Sequence, residues 1–130
     1  MGHQINYYNR ALTIRIDGRV QTQEVLQDIR QHLDQLESRS AVILDTTLCT
    51  GFDQLFKSMF HRILQHQQVG VVGICGVTDL VEADVQDIVT VLSRVRRVVV
   101  KPTEADLLAE FGLAEPEHKL SGMLAYLKKD

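Results

Sequence analysis

Two short runs constrain this 130-residue chain more than anything else in it: Ala41-Val-Ile-Leu44, closed by Asp45, and Val69-Gly-Val-Val-Gly-Ile-Cys75. Neither run alternates apolar with polar side chains. Strands of that kind are buried on both faces, as parallel sheets require. Parallel neighbours cannot be joined by a tight turn and need a long crossover, usually helical. The intervening segment carries one: Leu55, Met59 and Ile63, flanked by Phe56 and Phe60, recur at helical spacing and predict a helix from about Phe52 to His66. A strand–helix–strand unit with buried strands makes the chain an α/β protein.

The same logic extends outward. Ile5 to Tyr8 and Ala11 to Val20 read as strands joined by the turn-prone pair Asn9-Arg10, and the second alternates Leu12, Ile14 and Ile16 with Thr13, Arg15 and Asp17. Thr22 is the expected cap of a first helix striped by Val25, Ile29, Leu33 and Leu36. Asp79 with Glu82 opens a third helix, about Leu80 to Val95, with Val81, Val85, Ile88, Leu92 and Val95 inward. Val98 to Val100 reads as a short buried strand, and Thr103 caps a fourth helix that stops near Gly112. A bend at Pro116 leads to an amphipathic segment, Leu120 to Leu127. The expectation is one α/β domain over 1–113: a mixed, mainly parallel central sheet of about five strands with about four helices. A short C-terminal helix in 114–130 is expected to pack on that domain or on a partner.

Charge and composition narrow the function. A formal net charge of -3 lacks the basic face that nucleic acid demands. Arg94, Arg96, Arg97 and Lys101 read as a solvated rim. No run approaches the roughly 20 apolar residues of a membrane span, and the first ten residues lack a signal-peptide core, so no membrane insertion and a cytoplasmic location are expected. Cys49 and Cys75 are too few for a disulfide framework and read as buried thiols. His61 and His66 stand five apart, on different helical faces, so no metal site is expected. Gly70, Gly73 and Gly76 lack the spacing of a dinucleotide or phosphate loop and read as packing glycines, with no cofactor expected. Asp45 and Asp53 have no nucleophile or base beside them, so no catalytic residue is assigned.

This element order, read with particular residues, resembles the STAS fold family (sulphate transporter and anti-sigma-factor antagonist). Leu12-Thr-Ile-Arg-Ile-Asp-Gly-Arg-Val20 is similar to its opening strand and exit. Val42-Ile-Leu-Asp45 is similar to its second core strand, and Val98-Val-Val-Lys-Pro-Thr-Glu-Ala-Asp-Leu-Leu108 to its closing strand, turn and helix. The similarity runs from about Ile5 to Leu113. It implies a bacterial regulator that works by protein–protein recognition, with an anti-sigma-factor-like kinase or another regulator as partner. Phosphorylated relatives present an Asp-Ser pair at the start of the helix after the second core strand. Here Asp53 matches the acid, but Gln54 follows, and an amide accepts no phosphoryl group. Gly51-Phe-Asp53 with Val71-Val-Gly73 also resembles a divergent, sporulation-antagonist-like branch, some members of which are thought to bind apolar ligands.

The expected contact surface is the loop Thr46 to Gly51, the start of the following helix and the loop from Cys75 to Asp79. Thr47, Thr50, Asp53 and Gln54 would offer polar contacts and Phe52 an apolar anchor; a homodimer stands as an alternative use. Thr50 reads as a helix cap with Asp53, and Thr50 or Ser58 supplies the nearest hydroxyl for phosphorylation. The alternative function is a small-molecule or lipid-like ligand module with Phe52, Phe56, Phe60 and Cys75 lining a pocket.

Overall fold

The computed structural model describes residues 2–8 and 10–113; the expected bend at Pro116 and helix at Leu120 to Leu127 lie outside them. Ten elements follow in order: β1 (Gly2–Tyr8), β2 (Ala11–Arg19), α1 (Thr22–Gln35), β3 (Ser40–Asp45), β4 (Cys49–Gly51), α2 (Gln54–Ile63), β5 (Val69–Cys75), α3 (Glu82–Leu92), β6 (Arg97–Lys101) and α4 (Glu104–Glu110). The sheet runs β1-β2-β3-β5-β6, with β1 antiparallel to β2 and every other pair parallel. The mixed, mainly parallel α/β architecture expected from the sequence is therefore the one observed.

Strand order dictates where the helices lie. Each of the three crossovers steps one strand onward in the same direction, and right-handed crossovers in one direction stack on one face. Residues of α1, α2 and α3 accordingly share a single core with Leu12, Ile14 and Ile16 of β2, Val42 and Leu44 of β3, and Val72 and Ile74 of β5. Among the described residues the opposite face carries only α4, whose Leu107 and Leu108 pack with Ala11, Ala41, Ile43 and Cys75. Gly73 sits beneath α4: a Cβ there would stand 2.8 Å from Leu107 Cδ2 and 3.0 Å from Phe111 Cζ, so a packing glycine is needed.

Several local expectations are corrected. Thr22 is the first helical residue rather than the cap, because its hydroxyl is drawn to Asp53 instead of its own backbone. Of the expected stripe of α2, Phe56 and Phe60 are buried, Met59 and Ile63 are partly buried against the same core, and Leu55 is 48% exposed; Leu64, just past the helix, continues the buried side. α3 begins at Glu82 behind Val81, without a side-chain cap from Asp79, and Val95 is exposed beyond its end. β6 is an edge strand, so Val98 and Val99 are half-buried and Val100 is exposed. Of the basic group, Arg94 and Arg97 are solvated as expected, and Arg96 is the exception. Arg96 donates to the carbonyls of Leu64, Gln65 and His66 at the end of α2, and Arg97 and Lys101 pair with Glu110.

Candidate functional site

All four parallel strands end at one edge, and the connections leaving that edge form the candidate site. The segment expected as an open loop folds back. Cys49 to Gly51 make β4, which pairs with β2 beyond the end of β3 and is fixed by bonds from Gly18 N–H to the Leu48 carbonyl and Val20 N–H to the Gly51 carbonyl. Thr46 is fully buried, and its N–H and hydroxyl both reach the Cys75 carbonyl, at 2.9 and 3.0 Å. Asp45 accepts from the Thr47 N–H at 3.0 Å and its hydroxyl at 2.6 Å. Gly76 closes this corner with φ +70, and a Cβ there would lie 2.9 Å from Thr47 N and 3.0 Å from Asp45 Oδ1. Only glycine fits both the left-handed conformation and the space.

Asp53, not Thr50, caps α2: one carboxylate oxygen accepts from the Phe56 N–H at 2.8 Å. Thr22 reaches in from α1 and donates its hydroxyl to the same carboxylate at 2.6 Å. Burial alone would raise the Asp53 pKa, but Thr22, the Phe56 N–H and nearby Arg19 outweigh it and hold the carboxyl below its ordinary value. Asp84 of α3 does the equivalent job from the other side. It accepts from the Phe52 N–H at 3.2 Å and from Lys57 Nζ at 2.9 Å, and Lys57 also bonds Asp87 at 3.0 Å. Its carboxyl too is lowered, burial being outweighed by Lys57 and the Phe52 N–H. The start of α2 thus sits on a fixed polar base joining α1, α2 and α3.

The rim above this base carries Thr47, Thr50 and Gln54, all exposed. Phe52 is not among them. It is only 4% exposed and stacks on Phe56 at 5.0 Å, which in turn stacks on Phe60 at 4.8 Å, so the expected apolar anchor is a core residue. The exposed apolar side chains are instead Leu48, Leu55 and Leu80, at 64, 48 and 70%. A leucine in a polar loop is the one signal that pointed to Leu48; Leu55 was absorbed into the helical stripe. Ser58 is exposed and donates to the Leu55 carbonyl at 3.1 Å.

Phe52, Phe56 and Phe60 lie in the core under the three crossover helices, whereas Cys75 belongs to the cluster on the α4 face. The sheet separates them, so the four do not line one pocket. The two thiols are likewise on opposite faces. Cys75 is pushed up to about 12 by burial, with Asp45 and Glu104 adding to it, and burial raises Cys49 as well. A cavity of about 480 Å³ opens beside the rim at the carboxyl end of β2, lined by Arg15, Asp17, Asp45, Thr47 and Leu48 together with the first residues of β1. Arg15 there donates to Glu104 at 2.8 Å and to Asp45 at 3.3 Å, so its charge is already answered. Among the described residues no group of three His, Cys, Asp or Glu side chains is placed to hold a metal ion, and no helix is long and apolar enough to cross a membrane.

No protein-family model matches this sequence, and neither does any curated protein. The match is structural. The anti-sigma factor antagonist SpoIIAA in its unphosphorylated form superposes with a TM-score of 0.56 over 84% of this chain and 96% of that one, at 12% identity. The likeness extends over most of both molecules, and the chain, with four parallel strands, an antiparallel edge and crossover helices, has a STAS-like fold.

Proposed function

We propose that this protein is a non-catalytic regulatory interaction module whose contact surface is the rim of Thr47, Leu48, Thr50, Gln54 and Leu55. The observation that carries this is solvent-exposed Leu48 and Leu55, in the segment leading to α2 and in its first turn, over a base held rigid by Thr22, Asp53, Asp84 and Lys57. Preordered backbone under exposed apolar side chains lowers the entropy lost on docking. Asp53 is committed to capping and serves the surface indirectly, by fixing Gln54. With Gln54 at the position where phosphorylated STAS proteins carry serine, control by phosphorylation passes to Thr50 or Ser58, or is absent. The fitting partner is a regulator of the anti-sigma-factor kinase type.

A photo-crosslinking side chain at position 48 in the native host tests this, with Glu37, exposed at the opposite end of the strands, as the control position. One adduct of defined mass is expected from 48 and none from 37. Leu48→Asp with Leu55→Asp should lower affinity for that partner by tenfold or more, with the circular dichroism spectrum unchanged. Undiminished binding by the double variant would overturn the surface. The cavity beside Arg15 and Asp45 supports a second reading, a small polar ligand, which native mass spectrometry of freshly purified protein would reveal as a retained mass.

A further inference from the structure

The two edges of the sheet are guarded very differently. β6 is five residues long and bears Arg97 and Lys101, both paired to Glu110. β1 is seven residues, GHQINYY, without a single Lys, Arg, Asp, Glu or Pro. Exposed edges normally carry charge, proline or a bulge to block pairing with another chain. β1 has no proline and no bulge, and its one titratable side chain outside the tyrosines, His3, is turned to Asp28 of α1 at 2.8 Å.

Its backbone polarity can be read from the ladder. Tyr8 and Ala11 face each other across a two-residue connection, which makes them a hydrogen-bonded pair, and pairs alternate from there. Gly2, Gln4, Asn6 and Tyr8 therefore spend their backbone groups on β2. The far side of β2 agrees: the Arg10 carbonyl and Gly18 N–H bond to Ala41 and Leu48. His3, Ile5 and Tyr7 are left with N–H and C=O pointing outward, where no strand among the described residues pairs with them.

We propose that β1 pairs antiparallel with β1 of a second copy of this chain, in the register centred on Ile5. That register sets Ile5 against Ile5, and His3 against Tyr7 twice. All three pairs join outward-facing residues, so every free donor and acceptor of the three is used, and a shift by one residue uses none. The interleaved pairs set Gln4 opposite Asn6, exposed amides that can bond each other, and no like charges meet. The same two-fold pairing at β6 would set Arg97 against Lys101. The two sheets become one continuous sheet, and the cavity that Leu48 shares with Gly2, His3 and Gln4 lies beside the seam. This inference does not depend on the partner proposed above.

Light scattering on size-exclusion fractions between about 5 and 500 µM tests it by mass action. The mass should rise from 14.7 kDa toward twice that value, and amide exchange at His3, Ile5 and Tyr7 should slow as it does. Gln4→Glu with Asn6→Glu places carboxylates opposite one another and should raise the dimer dissociation constant by tenfold or more. Gln4→Glu with Asn6→Lys pairs opposite charges and should restore it; both positions are exposed, so both variants fold. A monomer at all concentrations overturns the proposal, as does a dimer indifferent to these substitutions, which would place contact elsewhere. A monomer whose β1 amides are protected only by a different protein overturns it in favour of a foreign strand.

Discussion

At the scale of single residues, Asp53 shows how a sequence match is kept while its role changes. The acid that the family resemblance singled out is present, but it caps α2, accepts from Thr22 and so ties α1 to the rim. Because its folded pKa is depressed, its contribution to stability is fully present above the unfolded carboxylate value and is lost as pH falls through the lower folded one. Asp84 adds in the same direction. Asp53→Asn keeps the shape and removes the charge. We expect it to cost about 1 kcal/mol near neutral pH, the usual worth of a cap and its charge. The larger effect is a flatter stability curve between roughly pH 5 and 2, where acid carboxylates titrate. Urea unfolding at a series of pH values reads both. A variant that loses stability in parallel with the parent across that window would show that Asp53 is not depressed.

At the scale of elements, what could be read from the sequence was what repeats locally. β2, β3 and β5 announce themselves by alternation or unbroken apolar runs, and Thr103 does cap α4, accepting from the Asp106 N–H at 3.1 Å. The strand–loop–helix junction after β3 was legible as a place, and its particulars were not. β4 is three residues long and exists because β2 outruns β3, a pairing invisible in either segment alone. Phe52 is buried because α3 reaches its N–H through Asp84, a partner 32 positions away. Arg96 is a further non-local case. Its guanidinium holds the carbonyls of Leu64, Gln65 and His66 in the turn that follows α2. Arg96→Ala strips three carbonyls of a charged donor, which costs about 1–3 kcal/mol. The loss should be concentrated there: amides of the last turn of α2 and the following residues should exchange faster, while those of β1 and α4 hold. Equal acceleration throughout would mean that Arg96 supports the fold only globally.

At the scale of the molecule, one-directional crossovers create an unequal sandwich. Three helices bury a large core on one face, including both stacked pairs of phenylalanine rings, whereas the other face relies on seven-residue α4. That helix is held by Leu107 and Leu108 in a small cluster and by surface ion pairs, Arg15–Glu104 and Arg97–Glu110, of the kind that contribute at most about 1 kcal/mol each. Opening free energies track buried apolar contact, so α4 should lift off in a partial unfolding well below the global one. The two thiols report on the two faces separately. Cys75 lies under α4 and Cys49 in the main core, and both are raised in pKa and shielded while closed. In Cys49→Ser protein, Ellman's reagent should therefore label Cys75 through a small opening, at a rate only weakly dependent on urea. In Cys75→Ser protein, Cys49 should label at least tenfold more slowly and with the steep urea dependence of global unfolding, since that dependence scales with the surface exposed. Matching rates and slopes for the two thiols would mean that both faces of the sheet open together, and that α4 is as integral to the fold as the helices opposite it.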